Sequence, residues 1–304
     1  MPSYVFGPVP SRRLGRSLGV DLIPYKTCPY DCVYCQLGRT TRLTLERKEW
    51  VPVVDLLAQV RAGLRAKPDH VTLGGSGEPT LHSGIGRIIA GIKAFTKVPV
   101  AVLTNGGLLW KREVRKDLLR ADLVLPSLDA GDSRMFRKVN RAHAAVSFRK
   151  MVDGLVAFRK EFRGQYWLEL LLLGGESAAP EHAEKLAAIV RRIRPDRVQL
   201  NTVTRPPADA DARAASRREL ERLLPLFGPR AEIIAEFKGT RQEHEAGAGK
   251  SQVLEMLRRH PGTVKDLACG LGISVPQARA HVEALLKEGL LRRRLVHGTA
   301  FYQP

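Results

Sequence analysis

Short apolar runs alternate with longer amphipathic stretches over the first 240 residues of this 304-residue chain. Runs of strand length that are bounded by glycine or polar residues are typical of strands buried on both faces. The predicted strands are Leu18–Ile23, His70–Leu73, Val98–Leu103, Leu123–Leu125, Trp167–Leu173 and Arg197–Asn201, with a weaker seventh near Glu232–Phe237.

The longer stretches carry apolar residues at spacings of three and four, the period of a helix that buries one face. They predict helices at Val53–Arg65, Gly84–Phe95, Trp110–Arg120, Ser147–Glu161 and Glu181–Ile193. Strands that alternate with helices imply a parallel sheet flanked by helices, the α/β class. About six such units favour a partial, TIM-like (β/α)6 barrel over a closed eightfold one.

A different pattern begins after the polar, glycine- and alanine-rich segment Arg241–Lys250, which is typical of a linker. Three helices and a two-stranded wing are predicted beyond it, with Ser251 as the N-cap of the first helix. These elements are Ser251–Arg259, Thr263–Cys269, Ser274–Glu288 and the strands within Leu290–Tyr302, around His297–Gly298. The pattern indicates a winged helix-turn-helix. We therefore expect a catalytic domain at residues 1–240, a linker at 241–250 and a winged helix at 251–304.

The charge balance is strongly basic, with 50 Lys and Arg against 31 Asp and Glu, a net charge of +19 and a sequence pI of about 10.3. Such an excess favours a polyanionic partner, nucleic acid first, with a solvated basic surface as the alternative. From Arg241 onward, ten basic and six acidic residues leave only +4 in the winged-helix region. The remaining +15 belongs to the predicted barrel, so the partner is expected to contact the barrel as well.

Four cysteines occur, and three of them, Cys28, Cys32 and Cys35, lie within eight residues of one another, far from Cys269. That distribution does not suggest a disulfide framework, and it indicates metal or redox chemistry in a reducing compartment. No apolar run near the amino terminus has the form of a signal peptide, and none is long enough to span a membrane. We therefore expect a cytoplasmic protein without membrane contact.

The three clustered cysteines lie in the segment TCPYDCVYCQLG (Thr27–Gly38) with the spacing C-x3-C-x2-C. Three thiolates on one short loop can hold three irons of a cubane iron–sulfur cluster and leave the fourth iron open. Zinc is the alternative, but a structural zinc site usually takes four ligands and no second cysteine or histidine pair follows nearby. Cys269 lies in a predicted helix of the winged helix, where a small buried side chain is expected.

This segment resembles the signature of the radical S-adenosylmethionine (SAM) superfamily, C-x3-C-x-aromatic-C, with Tyr34 at the aromatic position. The resemblance implies a [4Fe–4S] cluster on Cys28, Cys32 and Cys35, and SAM bound to the open iron. It also implies an electron donor such as flavodoxin or ferredoxin. Reduction of the cluster would then cleave SAM to a 5′-deoxyadenosyl radical, which abstracts hydrogen from a substrate.

Other segments fit the same resemblance. The stretch LGGSGEPT (Leu73–Thr80) is similar to the glycine-rich SAM motif of the family, in which glycines let the backbone approach the methionine part. There an acid, or a backbone carbonyl, takes the ammonium group. Polar residues that end the next strands are implied as further SAM contacts, although singly each is equally typical of a turn or cap. The implied cofactor residues are Tyr34, Gly74, Gly75, Gly77, Glu78, Thr104, Asn105, Ser127 and Asp129.

The stretches Phe6–Asp21, Ser127–Asp132 and Val139–His143 resemble a subgroup of radical SAM proteins related to the wyosine-forming enzymes, which modify the guanosine beside a tRNA anticodon. The second cysteine cluster and flavodoxin-like portion of those enzymes are not found here, so their reaction does not carry over. Basic and polar residues near the expected barrel mouth are candidates for substrate phosphates, with plain surface charge as the alternative. They are Arg12, Arg13, Arg16, Asn140, Arg141 and His143.

In the winged helix, polar and basic residues of the predicted recognition helix and wing suit nucleic acid, although such modules also dock proteins or form dimers. They are Gln277, Arg279, His281, Lys287, Arg292, Arg293 and Arg294. Our leading hypothesis is a radical SAM enzyme that acts on tRNA or another nucleic acid. The alternatives are an activase or modifier of a protein, peptide or small metabolite, and a DNA-binding iron–sulfur redox regulator.

Overall fold

The computed structural model describes residues 3–11, 13–235, 249–259, 261–296 and 298–304, without the side chains of Pro10 and Cys269. In the first 235 residues the strands are β1 (Val5–Ser11), β2 (Gly15–Asp21), β3 (Thr27–Cys28), β4 (Arg42–Leu43), β5 (His70–Gly74), β6 (Val100–Thr104), β7 (Leu123–Pro126), β8 (Gln165–Leu171), β9 (Arg197–Asn201) and β10 (Ala231–Ile233). The helices are α1 (Val53–Gly63), α2 (Ile85–Phe95), α3 (Arg112–Leu118), α4 (Ser133–Val139), α5 (Phe148–Glu161), α6 (Pro180–Ile193) and α7 (Arg217–Leu223). Short 3-10 helices lie at Leu64–Ala66, Pro79–Leu81 and Leu224–Phe227.

Eight of the strands form one sheet in the order β1-β2-β5-β6-β7-β8-β9-β10, while β3 and β4 pair separately. β1 runs antiparallel to β2, and the other neighbouring strands of the sheet are parallel. The six predicted strands correspond to β2 and to β5 through β9, and the weaker seventh corresponds to β10. The predicted α/β architecture is therefore confirmed, with one antiparallel strand added at an edge.

The added strand, β1, has the sequence VFGPVPS, and its two prolines and one glycine explain why its sequence does not predict a strand. Proline cannot donate to a neighbouring strand, so prolines within a sheet are tolerated at its edge. β1 is the end strand of this sheet, and its register with β2 shifts between Phe6 and Val9, around Pro8.

Both faces of the sheet are buried, as the apolar runs predict. In β7, Val124 packs in the large core between the sheet and the helices. Its neighbours Leu123 and Leu125 face the other way and form a smaller core with Leu14 and Ala101 on the inner face. The alternating directions follow from the two-residue period of a strand. The inner core fills the barrel interior, so the polar residues of the site lie above it at the strand ends.

The predicted helices are found within three residues of their expected bounds, whereas α4 and α7 are additional. Each of the two has seven residues and buries two or three apolar side chains. Their starts carry clear caps, because Asp132 accepts from the Met135 amide and Ser216 forms a capping box with Glu219. None of the helices in the described parts of the chain has the length and apolar character that crossing a membrane requires.

The carboxyl-terminal region folds into three helices and a hairpin with a core of its own. The elements are α8 (Lys250–Arg259), α9 (Val264–Leu271), α10 (Val275–Lys287), β11 (Arg292–Val296) and β12 (Thr299–Gln303). The predicted winged helix is thus confirmed, but Ser251 is not the N-cap of α8, because the helix already includes Lys250. Most of the predicted linker, the end of the weak seventh strand and His297 lie outside the described residues.

The winged helix packs on the edge strand β1. Val9 of β1 contacts the core of the winged helix. Arg259, at the end of α8, donates to the carbonyl of Ser3 at 3.3 Å and lies 4.4 Å above the ring of Phe6. An exposed edge strand is a template for unwanted pairing. The winged helix therefore covers the edge of the sheet that β1 forms.

Candidate active site

The cysteine loop follows β2 and lies across the carboxyl ends of the parallel strands. Backbone bonds attach it to the turn after β5 and to the end of α4: the Glu78 amide donates to the Thr27 carbonyl at 3.2 Å, and the Val33 amide donates to the Val139 carbonyl at 3.0 Å. Loops at this edge carry the sites of α/β proteins because the ends of all the parallel strands meet there. The three cysteines are therefore held where segments from distant parts of the chain converge.

Each of the three thiols has a side-chain nitrogen donor, and these three donors come from different segments. Cys28 also accepts from the Tyr30 amide. Lys26 Nζ lies 3.1 Å from the sulfur of Cys35. Asn105 Nδ2 lies 3.4 Å from that of Cys28, and Asn140 Nδ2 lies 3.5 Å from that of Cys32. Donors so placed stabilise sulfur in its anionic form, which is the form that binds iron.

Burial opposes ionisation of two of these thiols, Cys28 and Cys32. It raises the pKa of Cys32 to about 12, with the nearby Asp129 carboxylate adding to the effect, and it raises the pKa of Cys28. A bound metal reverses this preference because its positive charge stabilises the thiolate. The nitrogen donors and the burial therefore suit thiols that ionise only when their sulfurs bind a metal.

Three cysteine sulfurs are the type of ligand that an iron–sulfur cluster takes. Among the described residues, no three His, Cys, Asp or Glu side chains are gathered closely enough to hold a single metal ion. A cubane takes each thiolate on a different iron, so its ligands stand farther apart than those of zinc. The three thiols and their nitrogen donors fit a [4Fe–4S] cluster, with one thiolate on each of three irons.

The glycine-rich turn after β5 lies against the cysteine loop and leaves no room for side chains. A Cβ atom on Gly77 would lie 2.2 Å from the carbonyl oxygen of Thr27. Gly75 has a φ of +97°, and a Cβ there would lie 2.1 Å from a carboxylate oxygen of Asp21. That oxygen also accepts from the Ser76 amide at 2.9 Å. Glycine is needed here for close approach as well as for backbone freedom.

Glu78 is 1% exposed, and its carboxylate is fully used within the protein. Oε1 accepts from the amide and hydroxyl of Thr80 and from the hydroxyl of Thr104, at 3.1, 2.5 and 2.6 Å. Oε2 accepts from the Asn105 amide at 2.7 Å. Burial raises the pKa of Glu78, and these hydrogen bonds oppose the rise. The carboxylate joins the turn after β5 to the end of β6, and its four donors leave it poorly placed to take a ligand's ammonium group.

Asp129, which follows β7, is likewise buried and bound by protein donors. It accepts from the Tyr34 hydroxyl, from Asn140 Nδ2 at 2.9 Å and from the Leu171 amide at 3.1 Å. Burial raises the pKa of Asp129 to about 6, against the effect of these hydrogen bonds. Tyr34 is thus tied to the end of β7, and Ser127 lies two residues away on the same segment. All nine residues implied as cofactor contacts lie at this end of the sheet or in the loops over it.

The proposed substrate residues are not all brought to this edge. Asn140 lies among the cysteines, and Arg141 pairs with Asp209 at 2.7 Å beside it. Arg13 is mostly buried and pairs with Glu169 at 2.5 Å. Arg16 lies at the amino-terminal end of β2, where its guanidinium donates to the carbonyls of Ala66 and Lys67. The expectation that Arg16 lines the barrel mouth is therefore not met, because the antiparallel β1–β2 hairpin turns at the opposite end of the sheet.

The backbone of His143 is attached to the cysteine loop, since its amide donates to the Pro29 carbonyl at 2.8 Å. Arg12 lies outside the described residues. Sequence reasoning missed Lys26, whose place two residues before the first cysteine is the one signal of its contact. It also missed Glu169 and Asp209, for which the sequence holds no signal, because their partners are more than 60 residues away.

Comparison with known families agrees with this geometry. A family model described as the radical SAM superfamily matches residues 22–224, which include the cysteine loop and the strand ends around it. The chain belongs to the radical SAM superfamily. The expectation of a radical SAM enzyme is thereby confirmed, and the family implies SAM and a [4Fe–4S] cluster. A second model, described as a bacterial regulatory protein of the arsR family, matches residues 248–293 of the winged helix.

Curated relatives of this radical SAM protein extend over its full length. It is 31% identical to a UPF0026 protein of Methanocaldococcus jannaschii, over 99% of this chain and 95% of that protein. It is 31% identical to a UPF0026 protein of Helicobacter pylori (strain ATCC 700392 / 26695), over 99% and 97%. It is 37% identical over 303 residues to a Brachyspira hyodysenteriae protein named GTPase Obg, of which the chain spans only 45%.

Solved structures share the fold at low identity. A radical SAM methyltransferase from Sphaerobacter thermophilus superposes with a TM-score of 0.58 and 18% identity, over 71% of this chain and 65% of that one. Streptococcus suis SuiB bound to S-adenosylmethionine superposes with a TM-score of 0.53 and 15% identity, over 72% of this chain and 50% of that one. These likenesses support the partial-barrel architecture of the radical SAM domain.

Replacement of Glu78 with Gln tests the role of its carboxylate. An amide places N–H groups against some of the four donors, so we expect the free energy of unfolding to fall by about 2 to 4 kcal/mol. Urea denaturation of the two proteins measures the difference. The control is Glu46→Gln, because Glu46 is a half-exposed partner of Arg42 and Lys48 and its loss should change little. Equal losses in the two variants would contradict the structural role of Glu78.

Proposed function

We propose that Cys28, Cys32 and Cys35 hold a [4Fe–4S] cluster and that this radical SAM protein abstracts hydrogen from a nucleic acid, tRNA first. The observation that carries the cluster assignment is the convergence of the three thiols and their three nitrogen donors at the carboxyl ends of the strands. When bound, the cluster and SAM supply the 5′-deoxyadenosyl radical. The chain itself contributes ligands, a pocket wall and exclusion of water.

The wall of the SAM pocket is the glycine-rich turn together with the ends of β6 and β7. Because Glu78 is occupied by four protein donors, we infer that backbone carbonyls of the turn, and not this carboxylate, receive the ammonium group of SAM. Gly74, Gly75 and Gly77 let those carbonyls come close. The proposed contacts of the rest of the SAM molecule are Thr104 and Asn105 at the end of β6, and Ser127 and Asp129 after β7.

Tyr34 and Asn140 act as positioning residues in this proposal. Both donate to Asp129, and Asn140 also reaches the sulfur of Cys32. They therefore join the cysteine loop to the proposed SAM wall in one hydrogen-bonded unit. Electrons would come from a flavodoxin or ferredoxin type of protein.

The winged helix and the basic charge support a nucleic-acid substrate. Gln277, Arg279 and Lys287 are exposed on α10, and Arg292 and Arg293 are exposed on the wing. Apart from the uncharged Gln277 these residues are cations, and none of the four has an ion-pair partner among the described residues. Arg294 differs, because its guanidinium donates to the Pro207 carbonyl of the barrel at 3.5 Å. The wing thus contacts the radical SAM domain while its outer arginines remain free for phosphates.

A second candidate is a DNA-binding regulator that uses the cluster as a redox sensor. The match of the winged helix to a bacterial regulatory family favours it. The glycine-rich turn and the strand-end residues weigh against it, because a sensor needs no SAM pocket. The two functions differ in whether SAM is consumed by chemistry.

SAM cleavage is the direct test of the enzymatic proposal. Reconstituted, dithionite-reduced protein should release 5′-deoxyadenosine from SAM. The rate of 5′-deoxyadenosine release should fall at least about 100-fold in each of the variants Cys28→Ala, Cys32→Ala and Cys35→Ala, because an iron ligand is missing. Cys269→Ala is the matched control and should retain the cluster absorbance and the cleavage. A wild-type protein that binds duplex DNA tightly and releases no 5′-deoxyadenosine would establish the regulator instead.

Salt dependence tests the nucleic-acid part of the proposal. Binding of tRNA should weaken steeply with added salt, and Arg279→Ala with Arg293→Ala should lower the slope of log affinity against log salt by about 1 to 2. Fluorescence anisotropy at several salt concentrations measures this slope. Arg149→Ala with Arg217→Ala is the control, because both arginines are exposed and paired within their own helices. Affinity that does not depend on salt would contradict a phosphate interface.

A further inference from the structure

A basic cleft lies at the end of the sheet opposite the cysteines. It has a volume of about 1060 Å³ and opens between the carboxyl-terminal ends of α5 and α6 and the start of β8. One acidic residue lines it, Asp196, which already pairs with Arg159 at 2.8 Å. Six lining side chains are cationic: Arg159, Lys160, Arg163, Arg191, Arg192 and Arg194. Six cations less one carboxylate give the lining a charge of +5, out of +19 for the chain.

Most of this charge is uncompensated. Lys160, Arg163, Arg191 and Arg194 are exposed, and within the described residues their side chains have no ion pair or hydrogen bond. A basic residue at the end of one helix is favoured by the helix dipole. That preference explains each residue singly and does not explain why two helices and the loops after them direct their cations into one cleft. Concentrated positive charge in a concave surface raises the local concentration of anions.

A ligand that reaches from the cleft to the proposed SAM wall must be long. β8 begins at Gln165 in the cleft and ends at Leu171, whose amide bonds Asp129 in the proposed SAM wall. Seven strand residues span about 20 Å. A small phosphorylated molecule cannot occupy both places at once, whereas a polynucleotide can. An acidic electron donor seated in the cleft would stand far from the cluster that it must reduce.

We propose that this cleft binds the phosphate backbone of the nucleic-acid substrate and anchors it at a distance from the chemistry. The proposal rests on the proposed nucleic-acid function. The cleft also accounts for part of the basic charge that the winged helix does not carry.

The test uses the full chain and a tRNA mixture as probe. One variant combines Arg163→Ser, Arg191→Ser and Arg194→Ser. It should bind tRNA at least about tenfold more weakly and lower the slope of log affinity against log salt by about 2 to 3. The control carries Arg87→Ser, Arg149→Ser and Arg217→Ser, which removes three exposed, ion-paired arginines. Cleavage of SAM without RNA should be the same in both variants, because the cleft is remote from the cysteines.

The outcomes separate the two proposals. If wild-type protein binds tRNA and the cleft variant binds it as well as the control does, the anchor is disproved while the nucleic-acid function stands. If wild-type protein binds no nucleic acid, the proposed function fails and the anchor fails with it. A cleft variant that keeps tRNA binding but is no longer reduced by flavodoxin would assign the cleft to an acidic protein and overturn the anchor.

A separate observation concerns Arg259, which connects the winged helix to the glycine-rich turn. Its Nη1 lies 3.9 Å from Oδ2 of Asp21, and both side chains are 13% exposed. The other carboxylate oxygen of Asp21 holds the Ser76 amide and fills the space beside Gly75. Burial raises the pKa of Asp21, and the charge of Arg259 opposes the rise. The arginine therefore helps to keep ionised the carboxylate that shapes the turn.

From this contact we infer that Arg259 is a positioning residue for SAM, so that the winged helix completes the cofactor pocket of the barrel. The inference rests on the proposed SAM site. Without Arg259, Asp21 loses a buried countercharge and the Ser76 bond weakens, which loosens the turn. Asp21 itself need not touch SAM for this effect.

Calorimetric titration of the reconstituted protein with SAM tests the role of Arg259. Arg259→Leu should raise the Kd for SAM several-fold, and Arg259→Lys should restore part of the loss because it restores the charge. Arg258→Leu is the matched control, since Arg258 is the exposed neighbour on the same helix. Equal SAM affinity in Arg259→Leu and Arg258→Leu would overturn the inference. Absence of SAM binding by the wild-type protein would instead overturn the proposed function.

Discussion

The rest of the site depends on the hydrogen bonds that the buried carboxylate of Glu78 accepts. Its oxygens bind the ends of two neighbouring strands, through Thr80 on one side and Thr104 and Asn105 on the other. Its backbone amide holds the cysteine loop at Thr27. Asn105, positioned by this carboxylate, then reaches the sulfur of Cys28. A buried charge is tolerated only when it is fully hydrogen-bonded, so Glu78 imposes a defined geometry on the three segments that it joins.

The environment of the thiols extends the same principle to the cofactor. Burial discourages ionisation of Cys28 and Cys32, and each of the three cysteines has a side-chain nitrogen donor. Hydrogen bonds and positive charge near cluster sulfurs favour the reduced state of an iron–sulfur cluster. Lys26 is the charged member of the donor set and lies next to Cys35. The reduction potential of the cluster would thus depend on residues that bind neither iron nor SAM.

Much of the fold was predictable because its signals are local. The apolar runs of β5 to β9 and the periodic helices between them depend on neighbours in the chain. The cysteine spacing and the glycine-rich turn are also local, and both lie at the carboxyl edge. β1 was not predictable, because Pro8 and Pro10 are compatible with a strand only at an edge that the sequence does not reveal. The true partners of Glu78, Arg13 and Arg16 likewise depend on residues brought near by folding.

Electron paramagnetic resonance of the reduced protein, recorded with and without SAM, tests the central claim most directly. A [4Fe–4S] cluster with one open iron predicts a reduced-cluster signal that changes when SAM is added, and that is absent from the Cys28→Ala, Cys32→Ala and Cys35→Ala variants. A wild-type cluster signal that is unaffected by saturating SAM would contradict the account, because it would mean that the open iron and the surrounding pocket do not bind SAM.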